Sequence, residues 1–186
     1  RQPLEDRKVS ISRARFSVEY PASFMLVASM NPCPCGFYNH PEKECVCAPG
    51  VVQKYLSKIS GPLLDRIDLH VEVTPVNFSE LASSREAEKS ERIRARVIRA
   101  REIQDRRFAD KEDLHYNAQM SPKMVRKVCA ISEAGTTLLK SAMERLGLSA
   151  RAYDRILKVA RTIADLDMSE PNINHLTEAL SYRITR

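Results

Sequence analysis

Glycine is scarce. The 186 residues hold five glycines, at positions 36, 50, 61, 135 and 147. A phosphate-cradling P-loop needs two glycines five apart followed by Lys and Ser or Thr, and a dinucleotide fingerprint needs glycines two and then three apart. The smallest separation here is 11, between Gly50 and Gly61. These residues alone therefore contain neither loop, and no backbone here is built to wrap a triphosphate. Long apolar runs are also lacking. Nothing approaches the roughly 18 residues a membrane-spanning helix needs, so no membrane association is expected. No secretory leader is expected either, because the opening Arg1-Gln2-Pro3-Leu4-Glu5-Asp6 is polar. The opening has no initiator Met and reads as mid-domain, so we expect a piece of a longer chain.

What is present suffices for a core: 43% of residues are hydrophobic. The net charge is +6, and it is unevenly spread. Residues 1–84 carry nine basic and nine acidic groups, while residues 85–107 carry nine basic and five acidic. A basic C-terminal half suits contact with phosphates, although a solvated helical surface has the same composition. There are five cysteines, four of them between positions 33 and 47. In a chain without a leader, such a cluster points to a reducing compartment and to metal rather than disulfides.

The organisation reads as α/β followed by all-α. Val9 and Ile11, then Phe16, Val18 and Tyr20, alternate with polar neighbours, the period of a strand. Ser12-Arg13-Ala14-Arg15 suits the tip of a hairpin between them. Phe24 to Met30 is a continuous apolar run, as expected of a strand buried on both faces, and Ile67 to Val73 reads as a second. Thr74-Pro75-Val76-Asn77-Phe78 reads as a linker. We place an α/β half-domain at 1–78 and a four-helix lid at 79–186. In the lid, residues 85–107 form an Arg-rich helix, Ser121-Pro122 starts another, and Ser149 and Asn172 or Asn174 cap two more. Gly147 stops the stripe Leu138, Leu139, Ala142, Met143, Leu146.

Five constellations carry possible chemistry. Cys33-Pro34-Cys35 and Cys45-Val46-Cys47 are two chelating pairs, because thiolates two apart in an extended segment face the same side. Together they complete a tetrahedral sulfur site suited to zinc, with no open position for catalysis. His40 inside the loop is an alternative ligand, and a loop of reduced, unliganded thiols is the bland alternative. Cys129 lies on an apolar stripe and reads as core. Asn31 ends the first buried run, where open α/β sheets bind ligands, or else it starts a turn before Pro32. Arg66, in Asp65-Arg66-Ile67-Asp68, is placed to reach a neighbour's phosphates or to pair locally with Asp65 or Asp68. Arg151 in a helix first turn opposes the helix dipole, a poor choice for stability and a better one for gripping an anion. Arg13 and Arg15 form a basic tip suited to touching phosphate, or a solvated turn.

The order of these motifs is specific. Six segments carry it: Arg1-Gln-Pro-Leu-Glu, Ile11-Ser-Arg-Ala, Tyr20-Pro-Ala, Val27-Ala-Ser-Met-Asn31-Pro-Cys-Pro-Cys-Gly36, Ser60-Gly-Pro-Leu-Leu-Asp-Arg-Ile-Asp-Leu-His70 and Leu148-Ser-Ala-Arg-Ala-Tyr-Asp-Arg-Ile-Leu-Lys-Val-Ala-Arg-Thr-Ile-Ala-Asp-Leu166. Together they closely resemble the magnesium-chelatase-like AAA+ ATPases of the ComM (YifB) family. The resemblance covers essentially the whole chain. It implies that Asn31 is the sensor-1 residue, Arg66 an arginine finger acting on the neighbouring subunit's ATP, and Arg151 the sensor-2 residue of the lid. It implies a presensor hairpin whose tip, Arg13 and Arg15, meets DNA in the pore of a hexamer. It further implies ATP and Mg²⁺ as substrate and cofactor, a bacterial cytoplasmic setting, and DNA branch migration in natural transformation. The family's P-loop, acidic magnesium-binding strand and N-terminal domain would precede Arg1, so these residues alone are expected not to hydrolyse ATP. Two alternatives stand beside this reading: a chelatase-type motor that remodels a metal-inserting partner, and a zinc module that binds nucleic acid without ATPase chemistry.

Overall fold

A computed structural model describes residues 3–73, 75–76 and 87–183. The expected linker and the expected boundary at 78–79 fall largely outside the described residues. The chain forms two compact units, Arg1–Ile67 and Asp68–Arg186.

The first unit opens with a single helical turn, α1 (Pro3–Asp6), and then the expected hairpin, β1 (Lys8–Arg13) and β2 (Phe16–Pro21). The strands pair antiparallel, with Val9 opposite Tyr20, Ile11 opposite Val18 and Arg13 opposite Phe16, leaving Ala14 and Arg15 as a two-residue turn. Alternation places these apolar residues on one face. The other face is polar: Lys8 Nζ donates to both carboxylate oxygens of Glu19 at 2.9 and 3.0 Å, and the Ser12 and Ser17 hydroxyls meet at 2.8 Å. Both faces are exposed.

Two sequence expectations are corrected here. Phe24–Met30 and Ile67–Val73 are not strands, and the described sheet has two strands only, so no parallel sheet is present among the described residues. Met25 is 86% and Val27 81% exposed. The physical reason is that a strand exists only through its ladder partners, and these runs have none among the described residues. The unit boundary also divides the second run, so that the His70 N–H donates to the Tyr182 carbonyl in the helical unit at 2.9 Å. The first unit continues with α2 (Pro49–Leu56) and α3 (Gly61–Leu64), each beginning with a proline in its first turn, where a missing N–H costs nothing.

The second unit contains α4 (Ser90–Phe108), a 3₁₀ turn at Asn117–Gln119, α5 (Pro122–Val128), α6 (Glu133–Leu146), α7 (Ala150–Leu166) and α8 (Ile173–Ser181). That makes five helices among the described residues, where four were expected. The additional break lies at Cys129–Ile131, because the Ser132 hydroxyl accepts the Gly135 N–H at 3.2 Å and starts α6 anew. Ser121, Ser149 and Asn172 cap α5, α7 and α8 in the same way. Gly147 ends α6 at φ 61°, a left-handed conformation that glycine adopts without a Cβ penalty. The core joins Phe108, Met120, Val125, Cys129, Leu139, Ile156, Leu157, Ala160, Leu176 and Leu180, so Cys129 is core as expected.

Candidate functional site

The first unit carries most of the expected site residues. Arg66 follows α3, and its guanidinium is held from two sides. Nη1 donates to the Pro62 carbonyl at 2.6 Å and Nη2 to Glu5 Oε2 at 2.9 Å, leaving the side chain 11% exposed. The Arg66 Nε is buried with no hydrogen-bond partner. The local-pairing alternative named Asp65 or Asp68, but the carboxylate on Arg66 is Glu5, 61 residues away in sequence. Asp68 instead pairs with Arg155 of α7. Asn31 is exposed and lies in irregular backbone just ahead of the cysteine loop, not at the end of a strand. Arg13 closes β1 and Arg15 lies in the turn, both exposed. Arg151 is in the first turn of α7, exposed, in the second unit. These residues therefore sit on separate segments.

The four clustered cysteines, in contrast, converge. Cys33 Sγ lies 3.3 Å from Cys35 Sγ and 3.7 Å from Cys45 Sγ, with Cys35 and Cys45 3.5 Å apart. All four sulfurs, including that of Cys47, lie within 4.8 Å of one another. Gly36 turns the chain at φ 84°, and its N–H donates to the Cys33 carbonyl at 3.0 Å. The backbone hydrogen bond from Phe37 is the largest influence on Cys35 and helps pull its thiol down to about 6. His40 is not part of the cluster. Its Nδ1 accepts the backbone N–H groups of Glu42 and Lys43, each at 3.0 Å, and its ring packs edge-on against Phe37.

The second unit holds a polar network that the sequence reading missed. Asp165 is fully buried on α7. Its carboxylate accepts from Arg107 Nη1 and Nη2 at 2.7 and 2.5 Å, from Asn117 Nδ2 at 2.7 Å and from Arg161 Nε at 3.1 Å. Arg107 Nη1 also donates to Asn117 Oδ1 at 2.7 Å, and Arg161 pairs with Glu170. Burial opposes ionisation of Asp165, but the bonds from Arg107 and Asn117 and the positive charges of Arg107 and Arg161 outweigh it, holding the carboxyl below its ordinary value. One signal was available in the sequence. Arg161 and Asp165 fall four apart next to Leu157, Ala160 and Ala164, so both lie on the buried face of α7.

Two family models match the chain. "Magnesium chelatase, subunit ChlI" matches residues 1–81, and "Magnesium chelatase, subunit ChlI C-terminal" matches residues 87–183. The chain belongs to the magnesium chelatase ChlI family. Among curated relatives, the competence protein ComM of Haemophilus influenzae is 42% identical over 98% of this chain and 35% of its own length. YifB of Salmonella typhimurium is 40% identical over 98% of this chain and 35% of its own. Mb2921c of Mycobacterium bovis is 37% identical over the whole chain and 36% of its own length. The chain thus spans about a third of the length of these relatives. None of the described helices is long and apolar enough to cross a membrane.

Proposed function

We propose that this chain is the sensing and trans-acting part of an ATP-driven, hexameric AAA+ motor that moves branched DNA, as a ComM-like protein. The observation that carries the reading is the 42% identity to a competence protein along 98% of the chain. ATP and Mg²⁺ are the substrate and cofactor the family implies. The five glycines form no loop to grip them, so in this reading the grip comes from outside these 186 residues. The exposed runs Phe24–Met30 and Leu69–Val73 then pair with strands supplied there.

Within the motor, Arg66 neutralises charge growing on the phosphoryl group of a neighbouring subunit. The bonds to Glu5 and Pro62 favour that role by fixing the guanidinium, and its unpartnered Nε keeps one donor in reserve. Asn31 orients the attacking water, and Arg151 links nucleotide state to movement of the lid. Arg13 and Arg15 contact DNA phosphates from the hairpin tip.

The test is Arg66→Ala in the protein that also carries the nucleotide-binding half. Turnover should fall by about 10³–10⁵, while binding of a fluorescent ATP analogue stays within about twofold. Wild-type turnover in that variant would overturn the assignment. A second reading, a chelatase-type motor acting on a protein partner, is favoured by the family description itself. ATPase activity that DNA does not stimulate would select it.

A further inference from the structure

We propose that Cys33, Cys35, Cys45 and Cys47 bind one zinc ion through four thiolates, and that this ion, not an apolar core, folds the loop between Asn31 and α2. The proposal stands independently of the ATPase reading.

The first argument is geometric. An ion about 2.3 Å from each of four tetrahedral sulfurs sets them about 3.8 Å apart. The three closest sulfur pairs here are 3.3, 3.5 and 3.7 Å apart. That spacing encloses a single ion, whereas a cluster of several irons holds its cysteine sulfurs farther apart. Four sulfur ligands suit a soft tetrahedral metal and leave no position for a substrate or water, so the ion is structural. On binding, the thiols release their protons to solvent.

The second argument is the local chain. Pro32 and Pro34 fix φ around the first pair, and Gly36 makes the left-handed turn that brings the chain back. The second pair alternates: Cys45 and Cys47 face inward while Val46 between them is 84% exposed. His40, its Nδ1 spent on two backbone N–H groups, braces the loop.

The third argument is what the loop lacks. Among the described residues of the first unit, only Cys33 and Val52 are buried. No hydrophobic cluster holds residues 32–48, and they form neither helix nor strand. A segment that cannot bury apolar surface needs another source of folding free energy, and a structural metal is the usual one.

The test uses protein purified without a metal-affinity step, with zinc and iron measured by mass spectrometry. About one zinc ion per chain is expected, and Cys129→Ser should retain it. The pair Cys33→Ser, Cys35→Ser should fall to less than about a tenth of that content. Should that pair fail to fold, wild-type protein stripped of metal and reloaded with cobalt(II) provides the second measurement. Intense sulfur-to-cobalt charge transfer with tetrahedral d–d bands supports a tetrathiolate site. Chelation should also expose residues 32–48 to protease while the helical unit stays resistant. Wild-type protein without zinc, iron in its place, full zinc in the double variant, or a cobalt spectrum without charge transfer would each overturn the proposal.

Discussion

Replacing Asp165 by Asn tests whether the helical unit is held by one buried charge. Asp165 ties three segments together: Arg107 comes from α4, Asn117 from the 3₁₀ turn and Arg161 from α7 itself. The substitution keeps the shape and removes the charge. Arg161 keeps Glu170 as a partner, but Arg107, only 14% exposed, loses its bidentate carboxylate. Breaking a buried pair from one side costs about 3–5 kcal/mol, because the remaining charge is left uncompensated. For a helical unit of this size each kcal/mol is worth about 4–8 °C in Tm, so the melting point should fall by at least about 12 °C. The assay is a far-UV circular dichroism melt of the 186-residue chain at neutral pH. Asp167→Asn is the control, since Asp167 is 63% exposed and pairs with His175 at 3.2 Å. It should cost no more than about 1 kcal/mol.

The pH dependence has a definite sign. The folded carboxyl of Asp165 lies below its unfolded value, which is about 3.9. Its contribution is therefore fully present above that unfolded value and is lost as pH falls through the folded one. The gap between wild type and Asp165→Asn should be constant from about pH 6 to 8 and narrow below about pH 4. Replacing the pair together, as Arg107→Met with Asp165→Leu, should recover much of the loss, because no buried charge then stands alone. A Tm within about 4 °C of wild type for Asp165→Asn would refute the reasoning.

Gly135→Ala should destabilise the helical unit although alanine favours helix. Its Cβ would meet Leu176 Cδ1 at 2.8 Å and Ile131 Cβ at 3.4 Å, and Leu176 is fully packed. The overpacking cost of about 1–3 kcal/mol exceeds or matches a propensity gain of about 1 kcal/mol, so a raised urea midpoint would count against the α6–α8 contact. On the proposed function, Arg13→Ala with Arg15→Ala should weaken DNA binding uniformly across sequences. It should also reduce the salt-dependence slope by about 1.8 if each arginine neutralises one phosphate. An unchanged slope would remove the hairpin tip from the DNA interface.

Local signals were legible in the sequence and long-range ones were not. The hairpin follows from period-two alternation, and α5, α7 and α8 from the capping oxygens of Ser121, Ser149 and Asn172. Gly147 marked its helix end because one residue suffices to set a left-handed turn. The two Cys-x-Cys pairs were legible for a similar reason: each pair is preorganised by its own three residues. What joins distant positions left little trace. Glu5 and Arg66 are 61 residues apart, and Arg107 and Asp165 are 58 apart. Neither pair has a spacing that periodicity can detect.

The two misread strands separate composition from context. Phe24–Met30 has the apolar content of a doubly buried strand, yet it lies exposed. A helix satisfies its own backbone, so α4 to α8 and the short connections that carry Met120 and Cys129 close around a core without a partner from elsewhere. A parallel strand satisfies nothing by itself and requires at least one neighbouring strand to pair with. The same contrast orders the site. Arg151 stands on a self-sufficient helix. Asn31 follows an unpaired run, with the cysteine loop immediately behind it. If that loop is closed by zinc, the metal fixes the chain from residue 33 onward. Asn31 then has one anchored side even without a sheet, while the segment before it has no ladder partner among the described residues.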